Sequence, residues 1–293
     1  MILSMQNQMD RSLTILADGE PVTGYARARL LGTEQLGLYP SLFMLHLWNV
    51  AEENYLALSR SKEVTVLHDD VVLVSGTVSD AFRHLIRPSG TCLGYRPFFA
   101  ENEHTGSFSG TRRTPSRGRL SGGTETLVAI APGLKLWEAP VSLDVEAGVT
   151  VSEAVRRLLE ASGTGIQLLS FPGEDPVTTR GQAFFGRAAE CIEEALGEAG
   201  AGCCLVPSGL CIIPKEGLPV SMVLTEEDLT DVPSFNCGGD MVLRTGPAGW
   251  TLGKGVEVRY GGTVSRGLIS ERMIHLDTGD GPWRIELVVE LSS

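Results

Sequence analysis

The sequence predicts a mainly β protein in which a small α+β module is inserted between two β segments. Short runs rich in Val, Ile and Leu alternate with turns of Gly, Asp and Pro up to about residue 145, and again after about residue 220. The two clear helical patterns of the chain both lie between residues 150 and 200. The predicted order is therefore a β-barrel-like segment, an α-β-α-β-β module and a second β-barrel-like segment.

The first β segment is built around residues 54–85, for which we predict three strands separated by two turns. Residues 64–66 and 71–74 supply the β-branched and apolar positions, and the Asp pair at 69–70 supplies the turn between them. Gly76 permits a bend or bulge before the third strand. The other strands predicted in this segment cover residues 12–17, 26–31, 41–48 and 126–131.

The module begins with the strongest helical signal in the chain, which lies between Thr150 and Gly163. Thr150 and Glu153 have the spacing of a capping box, and Gly163 is a typical helix stop. A second helix is predicted over residues 186–198, with four acidic side chains on its outer face. The first helix buries Val151, Ala154, Val155, Leu158 and Leu159, and strands at 166–171, 203–206 and 210–213 complete the module.

The last β segment ends in a pair of strands joined by a Gly/Asp-rich hairpin loop over residues 277–282. Apolar and polar residues alternate over several positions of 284–291, as expected for a half-exposed strand. The predicted strands of this segment cover residues 221–224, 240–243, 255–260, 268–275 and 283–291.

Charge is distributed unevenly along the chain. The 293 residues carry a net charge of −12, and residues 141–293, with 11 basic and 22 acidic side chains, account for −11 of it. An acidic surface disfavours tight binding to nucleic acid or to an anionic membrane. The exception is the stretch 105–123, which has no acidic residue. We interpret it as a solvated surface loop or as a loop that orders against an acidic partner or a phosphate backbone, with Arg112, Arg113, Arg117 and Arg119 as the candidate contacts.

The cysteines do not predict a metal site or a disulfide framework. None of the six forms a CxxC pair, so buried reduced thiols are the favoured interpretation. Cys203 and Cys204 are adjacent and are expected on opposite faces of a strand. The N-terminus lacks the pattern of a signal peptide, and no apolar run approaches the ~18 residues of a membrane span. We therefore expect synthesis in a cytosol and no membrane partner.

Searches for catalytic and ligand-binding patterns give no convincing site. His68 with the two Asp residues at 69–70 could form an acid–base set, but neighbours on a hairpin turn rarely converge on a substrate. Residues 226–228 are acidic but lack further cation ligands, and residues 249–255 fail the spacing of a phosphate loop. His46 is expected to be a core or interface residue. We predict no catalytic residue, no metal, no cofactor and no enzymatic activity.

The closing residues 268–278 and 281–287 resemble those of the phage tail baseplate hub family, the relatives of late-control protein D. The resemblance consists of a strand that ends in a His-containing segment, a Gly/Asp turn and a final strand that bears Trp283. Residues 64–78 also resemble the strand pair of that family's first barrel, with Asp69 and Asp70 in the turn and a Ser-Gly-Thr-Val sequence after it.

This resemblance implies two tail-tube-like β-barrels and an assembly role. The implied domains are a first barrel over 1–148 with a long basic loop at about 100–124, the α+β domain over 149–218, and a second barrel over 219–293. Three chains would form a homotrimer with a pseudo-sixfold ring that joins the tail tube to a central spike. The implied partners are the tail tube protein, the spike, the tape-measure protein and the baseplate wedge proteins. DNA would pass through the lumen without specific binding. The implied location is the baseplate of a virion tail, assembled in the host bacterial cytoplasm.

Two other functions remain open from the sequence. The module at 149–218 could bind a peptide, a glycan or another small ligand while the β segments act as a scaffold. A cell-wall hydrolase is the weakest alternative, because the chain lacks a plausible acid–base pair.

Overall fold

The fold was analysed in a computed structural model that describes residues 11–39, 41–86, 123–169, 175–206, 209–214 and 219–292. The predicted fold class is confirmed, because β strands dominate and most helices belong to a module between two β segments. The described residues of the first segment form seven strands and one helix. They are β1 (Thr14–Ala17), β2 (Glu20–Val22), β3 (Arg27–Gln35), β4 (Leu42–Trp48), α1 (Glu52–Arg60), β5 (Glu63–His68), β6 (Val71–Ile86) and β7 (Gly123–Ala131).

The module starts directly after β7, and its described residues form three helices and two small sheets. It packs β8 against β9 and β10 against β11, each pair antiparallel. Its elements are α2 (Leu134–Glu138), β8 (Pro140–Val145), α3 (Val151–Ser162), β9 (Gln182–Arg187), α4 (Ala188–Glu198), β10 (Gly202–Val206) and β11 (Gly209–Ile213).

The last segment returns to β structure and ends in two long strands. Its elements are β12 (Val220–Leu224), a 3-10 turn (Glu226–Asp228), β13 (Ser234–Phe235), β14 (Met241–Thr245), β15 (Gly255–Tyr260), β16 (Thr263–Asp277) and β17 (Trp283–Leu291). None of the described helices is both long enough and apolar enough to cross a membrane.

The described strands of the two β segments are hydrogen-bonded into one sheet of 13 strands. Its main path runs β13-β14-β17-β16-β3-β4-β7-β6-β5-β1-β2, and β15 joins β16 while carrying β12 at its far side. The connection between the segments is the antiparallel pair of β3 and β16, which extends from Gln35 opposite Glu271 to Arg29 opposite Asp277. The first and last thirds of the chain are therefore joined by main-chain hydrogen bonds as well as by side-chain packing.

Three hairpins of this sheet use two-residue turns in which both residues have positive φ. Asp69 and Asp70 have φ of 46° and 66°, and the turns at 18–19 and 261–262 follow the same pattern. Turns of this type match the right-handed twist of the flanking strands, and Asp and Gly tolerate the conformation. The predicted turn at Asp69 and Asp70 is confirmed.

Two cores fill the protein. The larger lies between the inward faces of both β segments and includes Phe43, Leu45, Ile274 and Leu287. The smaller belongs to the module and is formed largely by α3, α4, β8 and the outer face of the β10–β11 hairpin. It already includes Leu136 and Val141, which precede the predicted domain boundary at residue 149. The domain limits 1–148, 149–218 and 219–293 stay a prediction.

Helix α3 confirms its sequence pattern almost position by position. The five apolar residues predicted inward are buried, and Gly163 ends the helix with φ of 64°. Thr150 Oγ1 accepts a hydrogen bond from the Glu153 N–H at 3.3 Å. Only this half of the capping box forms, because the Glu153 carboxylate pairs with Arg156 and Arg157 instead. These two guanidinium groups lower the pKa of Glu153, chiefly through the hydrogen bond from Arg157.

Three local predictions were wrong. Residues 52–60 form the helix α1, whose weak amphipathic pattern leaves only Leu58 fully buried. Strand β6 continues through Gly76, and its register shifts lie at Val72–Val74 against β5 and at Val78–Asp80 against β7. Gly76 is needed for close packing, because a Cβ there would lie 2.7 Å from the Pro132 nitrogen.

The third error concerns residues 166–171. Leu168 makes only an isolated parallel bridge to Leu210, and residues 170 and 171 lie outside the described residues. The first strand of the predicted α-β-α-β-β order, between the two helices, is instead β9. Strand β9 pairs with β8 and ends where α4 begins.

Candidate assembly surface

The most extensive candidate surface is the outward side of the central strands β3, β4 and β16. Alternate side chains of these strands point away from the core and remain half-buried. We call this surface the outer sheet face and define it by Leu31, Met44, His46, Met273 and His275. Their register brings them together, since Leu31 lies opposite both Met44 and His275. Apolar side chains thus form the centre of a face that carries charges around it, as protein interfaces commonly do.

A buried ion pair fixes one end of this face. Asp277 is only 2% exposed, and its Oδ1 accepts a hydrogen bond from Arg27 Nε at 2.6 Å. A second bond joins Arg27 Nη2 to Asp277 Oδ2, which makes the pair bidentate. The Gly279 N–H donates to Oδ1 at 2.9 Å, and the Arg27 guanidinium lies 5.1 Å from the Trp48 ring centroid. This cluster joins the start of β3 to the end of β16.

The hydrogen bonds of this cluster decide the charge of Asp277. Burial alone would raise its pKa, but hydrogen bonds from Arg27 and the Gly279 N–H, with the charges of Arg27 and Arg29, lower the pKa of Asp277 below its ordinary value. The carboxylate is therefore ionised at neutral pH.

Cationic groups lie next to the apolar centre of the face. Arg29 lies between Asp277 on β16 and His46 on β4, and its Nε has no hydrogen-bond partner among the described residues. Burial lowers the pKa of His275, and the charges of Arg284 and Arg29 lower it further against the opposing effect of Glu286. His275 is therefore neutral at pH 7.

The edge strands of the sheet differ in how well they are protected from pairing with another chain. Edge strand β2 contains Pro21, which cannot donate a main-chain hydrogen bond, and β13 has only two residues. Strand β12 pairs only with β15 among the described strands, and its five residues include no charge and no Pro. Val220 and Val223 on this strand are exposed. Strand β12 is therefore the least protected described edge.

A cleft of about 400 Å³ lies where the module meets the sheet. Its base holds Arg272, which is 6% exposed and lies 2.8 Å from Glu34 Oε1. Arg272 also donates to the carbonyl oxygens of Trp250 and Leu73 at 2.9 and 2.8 Å. Burial raises the pKa of Glu34, although Arg272 opposes the shift. Both terminal nitrogens of Arg272 are thus used within the protein, which makes Arg272 a structural connection from β16 to β3 and β6.

His68 and the two Asp residues at 69–70, which the sequence did not favour as an acid–base set, have structural contacts. His68 Nδ1 lies 2.9 Å from the Ser12 carbonyl oxygen, and its ring packs edge-on against Trp283 at 5.2 Å. Asp69 is exposed and 3.3 Å from His68 Nε2. His68 therefore holds the N-terminal strand against the final hairpin.

The other candidates have structural roles as well. Glu226 Oε1 accepts from the Gly261 N–H at 2.8 Å, and Asp228 caps its own turn through Thr225. Residues 249–255 lead into β15 and not into a helix. His46 Nδ1 lies 2.8 Å from Glu125 Oε1. No group of three or more potential metal ligands lies together in the described part of the chain.

Arg112, Arg113, Arg117 and Arg119 lie outside the described residues. The Arg27–Asp277 and Glu34–Arg272 pairs were not predicted from the sequence, because their members are more than 200 residues apart in the chain. The alternation of polar and apolar residues along each strand could show which face of the sheet a side chain occupies. Only the register of β3 against β16 brings the paired residues together.

Three solved structures share this architecture over nearly the whole chain. A tail protein from Neisseria meningitidis MC58 has 12% sequence identity and a TM-score of 0.60, with 94% of this chain and 95% of that chain covered. The 43 kDa tail protein of prophage MuSo2 from Shewanella oneidensis has 10% identity and a TM-score of 0.60, with 96% of each chain covered. The chain has the fold of phage tail proteins.

The same fold occurs in a secretion machine. The E. coli c3393 protein, a component of the type VI secretion system with structural similarity to the T4 bacteriophage tail proteins gp27 and gp5, has 10% identity and a TM-score of 0.61. That comparison covers 95% of this chain and 77% of the E. coli protein. No family model matches the chain, and no curated protein matches its sequence.

Proposed function

We propose that the protein is a structural component of a phage tail or of a phage-like injection particle, and that it acts there as the baseplate hub. The observation that carries the proposal is a fold shared with tail proteins over 94–96% of the chain. In this role three copies form a pseudo-sixfold ring, to which each copy contributes its two β segments. The ring joins the tail tube to the central spike and also contacts the tape-measure and baseplate wedge proteins. The protein then resides in the baseplate of the virion tail after assembly in the host bacterial cytoplasm.

The described surfaces are consistent with an assembly role. The outer sheet face has an apolar centre beside the charged Arg29, and β12 offers an uncharged edge. A ring closes when each subunit uses two different surfaces, so that one surface of one copy meets the other surface of the next. The net charge of −11 on residues 141–293 disfavours DNA binding and suits a lumen through which DNA passes. A non-enzymatic role follows from this proposal.

The oligomeric state of the purified chain tests the hub. Mass photometry of the chain, alone and mixed with the tube and spike proteins, should show a species of three 31.4 kDa chains. Electron microscopy should show that species as a ring. A protein that stays monomeric even with both partners would overturn the hub proposal.

A matched pair of variants tests the surface. Met44→Lys places a charge in the outer sheet face and should abolish ring formation or tube binding while the melting temperature stays within about 3 °C of wild type. Val177→Lys places the same charge at an exposed position of the module and should leave assembly intact. The outer sheet face is not the contact if both variants assemble equally well.

A second candidate function is peptide binding at the cleft between the module and the sheet. It is favoured by β6, whose residues 71–76 pair with β5 on one side while β7 joins the other side only from Thr77. A strand edge beside a cleft can accept an extended peptide as an additional strand, and here the Leu73 carbonyl of that stretch is already bonded to Arg272. Thermal-shift screening with a peptide library would support this function if one class of peptide stabilises the wild type and a Gln167→Arg variant at the cleft loses the effect.

A further inference from the structure

The β10–β11 hairpin separates the two cores, and its cysteines face both of them. Cys203 belongs to the core of the module, whereas Cys204 belongs to the core of the sheet. The predicted opposite orientation of these two residues is therefore confirmed. Cys211, on the other strand of the hairpin, packs against the same core as Cys204. Two of the three thiols thus lie on one face of a two-stranded sheet.

Cys204 and Cys211 lie directly opposite each other in the antiparallel register of the hairpin. The neighbouring residue Leu210 turns its main chain outward, because its N–H donates to the Gln167 carbonyl at 2.8 Å and its carbonyl accepts from the Leu169 N–H at 2.9 Å. Main-chain bonding alternates along an antiparallel pair, so the two cysteines occupy a hydrogen-bonded position. Opposite residues at such a position have Cα atoms about 5.5 Å apart, within the roughly 4.4–6.8 Å that a disulfide spans.

The two thiols differ in access and acidity. Cys204 is fully buried, and its Sγ lies 3.3 Å from the Leu252 carbonyl oxygen. Cys211 is only half-buried. A hydrogen bond from the Cys204 thiol lowers the pKa of Cys211, and the positive charge of Lys254 lowers it further, against desolvation that raises it. The pKa of Cys204 is raised, chiefly by the same hydrogen bond and by burial. Such an arrangement is typical of an attacking thiol next to a resolving thiol.

We propose that Cys204 and Cys211 form a redox-active dithiol that a small-molecule disulfide converts into a cross-strand disulfide. The Cys211 thiolate attacks one sulfur of the oxidant, and the other sulfur leaves as a thiolate that takes up a proton. Cys204 Sγ then loses its proton and attacks Cys211 Sγ, which expels the second half of the oxidant as a thiol. The two cysteines lose two electrons in total, and one disulfide is reduced to two thiols.

The consequence is a covalent tie in the wall between the module and the sheet. Gly37 donates its N–H to the Cys203 carbonyl at 2.7 Å, so β10 is also attached to the end of β3. In the reduced protein the hairpin is held by hydrogen bonds and packing. In the oxidised protein its register is fixed by a bond, which suits a protein that is folded in a reducing cytosol and then works outside it.

Thiol labelling with mass spectrometry tests the proposal. The folded protein is treated with glutathione disulfide, denatured, labelled with N-ethylmaleimide and digested with trypsin. The peptide 188–215 contains Cys191, Cys203, Cys204 and Cys211 and no internal Lys or Arg. It should carry four labels from the reduced protein and two from the oxidised protein, on Cys191 and Cys203.

Three variants give the test its controls. Cys203→Ala, the matched neighbour on the opposite face, should still lose two labels on oxidation. Cys211→Ala should lose none, because the fully buried Cys204 has no attacking partner. Cys204→Ala should accumulate a glutathione adduct on Cys211 that the wild type does not retain. Should Cys204→Ala fail to fold, Cys211→Ala alone decides. Four labels on the oxidised wild type, or two labels lost from Cys211→Ala, would overturn the proposal.

Discussion

Asp277→Asn tests whether the ion pair between β3 and β16 holds the two β segments together. The substitution keeps the size of the side chain and removes its charge. Arg27 then loses its ionic partner in a place where its side chain is only 18% exposed. The introduced amide would retain one carbonyl acceptor, for either Arg27 or the Gly279 N–H.

The expected loss can be worked from this geometry. Removing one partner of a fully buried ion pair costs about 3–5 kcal/mol. Two features reduce the loss, because Arg27 is partly solvated and its contact with the Trp48 ring survives the substitution. We expect a decrease of about 2–3 kcal/mol in the free energy of unfolding. For a chain of this size the corresponding decrease in melting temperature is about 4–10 °C.

Differential scanning calorimetry of the wild type and two variants measures this effect. Asp231→Asn is the matched control, since Asp231 pairs with Arg244 at 2.7 Å on the surface, where the side chains are 52% and 34% exposed. An exposed pair contributes about 0–1 kcal/mol, so the control should shift the melting temperature by no more than about 3 °C. If Asp277→Asn lowers the melting temperature no more than Asp231→Asn, the ion pair does not hold the segments together.

Three further predictions follow from the same structure. Gly281→Ala should lower the stability by about 1–3 kcal/mol, because the new Cβ would lie closer than van der Waals contact to the Asp277 carboxylate. In the matched variant Gly197→Ala in α4, the new Cβ meets no atom within 4 Å, so the stability should rise by about 0.5–1 kcal/mol. Urea unfolding followed by circular dichroism compares the two variants. Thr150→Ala should lower the free energy of unfolding by about 0.5–2 kcal/mol, because α3 loses its N-terminal cap. The same assay measures this change, and a decrease below about 0.3 kcal/mol would contradict the capping role. Folding lowers the pKa of Asp277, so the stability that its ionised carboxylate contributes is complete above its ordinary pKa of about 3.9. That contribution to stability is lost as the pH falls further, through the lower pKa that Asp277 has in the folded protein. Melting temperatures from pH 7 to pH 2 should therefore fall less steeply below about pH 4 in Asp277→Asn than in the wild type.

Local chemistry made several elements predictable from the sequence. Helix α3 follows from its cap, its apolar spacing and Gly163, all within residues 150–163. The hairpin turn at Asp69 and Asp70 follows from residues that tolerate positive φ. Each of these signals acts between near neighbours, so no knowledge of the rest of the fold is needed.

Signals that depend on distant contacts were missed. Helix α1 has a single fully buried residue, Leu58, so its periodicity is weak. Residues 166–171 are apolar enough for a strand, but the position beside β8 is taken by β9. The pairs that shape the outer sheet face join residues near positions 27 and 277, and no sequence spacing indicates such a contact. The register of a sheet is set by all its strands together, which is why the site was less predictable than the helices.

The low identity to the tail proteins is a physical consequence of this architecture. Along β3, β4 and β16 the inward residues alternate with outward ones, so packing constrains only every second position. Many apolar combinations fill such a core at similar volume, and a fold can persist at 10–12% identity. The outward positions are free of the core and can fit a neighbouring protein. In the proposed assembly role, specificity for partners should therefore reside in the outer sheet face, where the core places no demand on the identity of Leu31, Met44 or Met273.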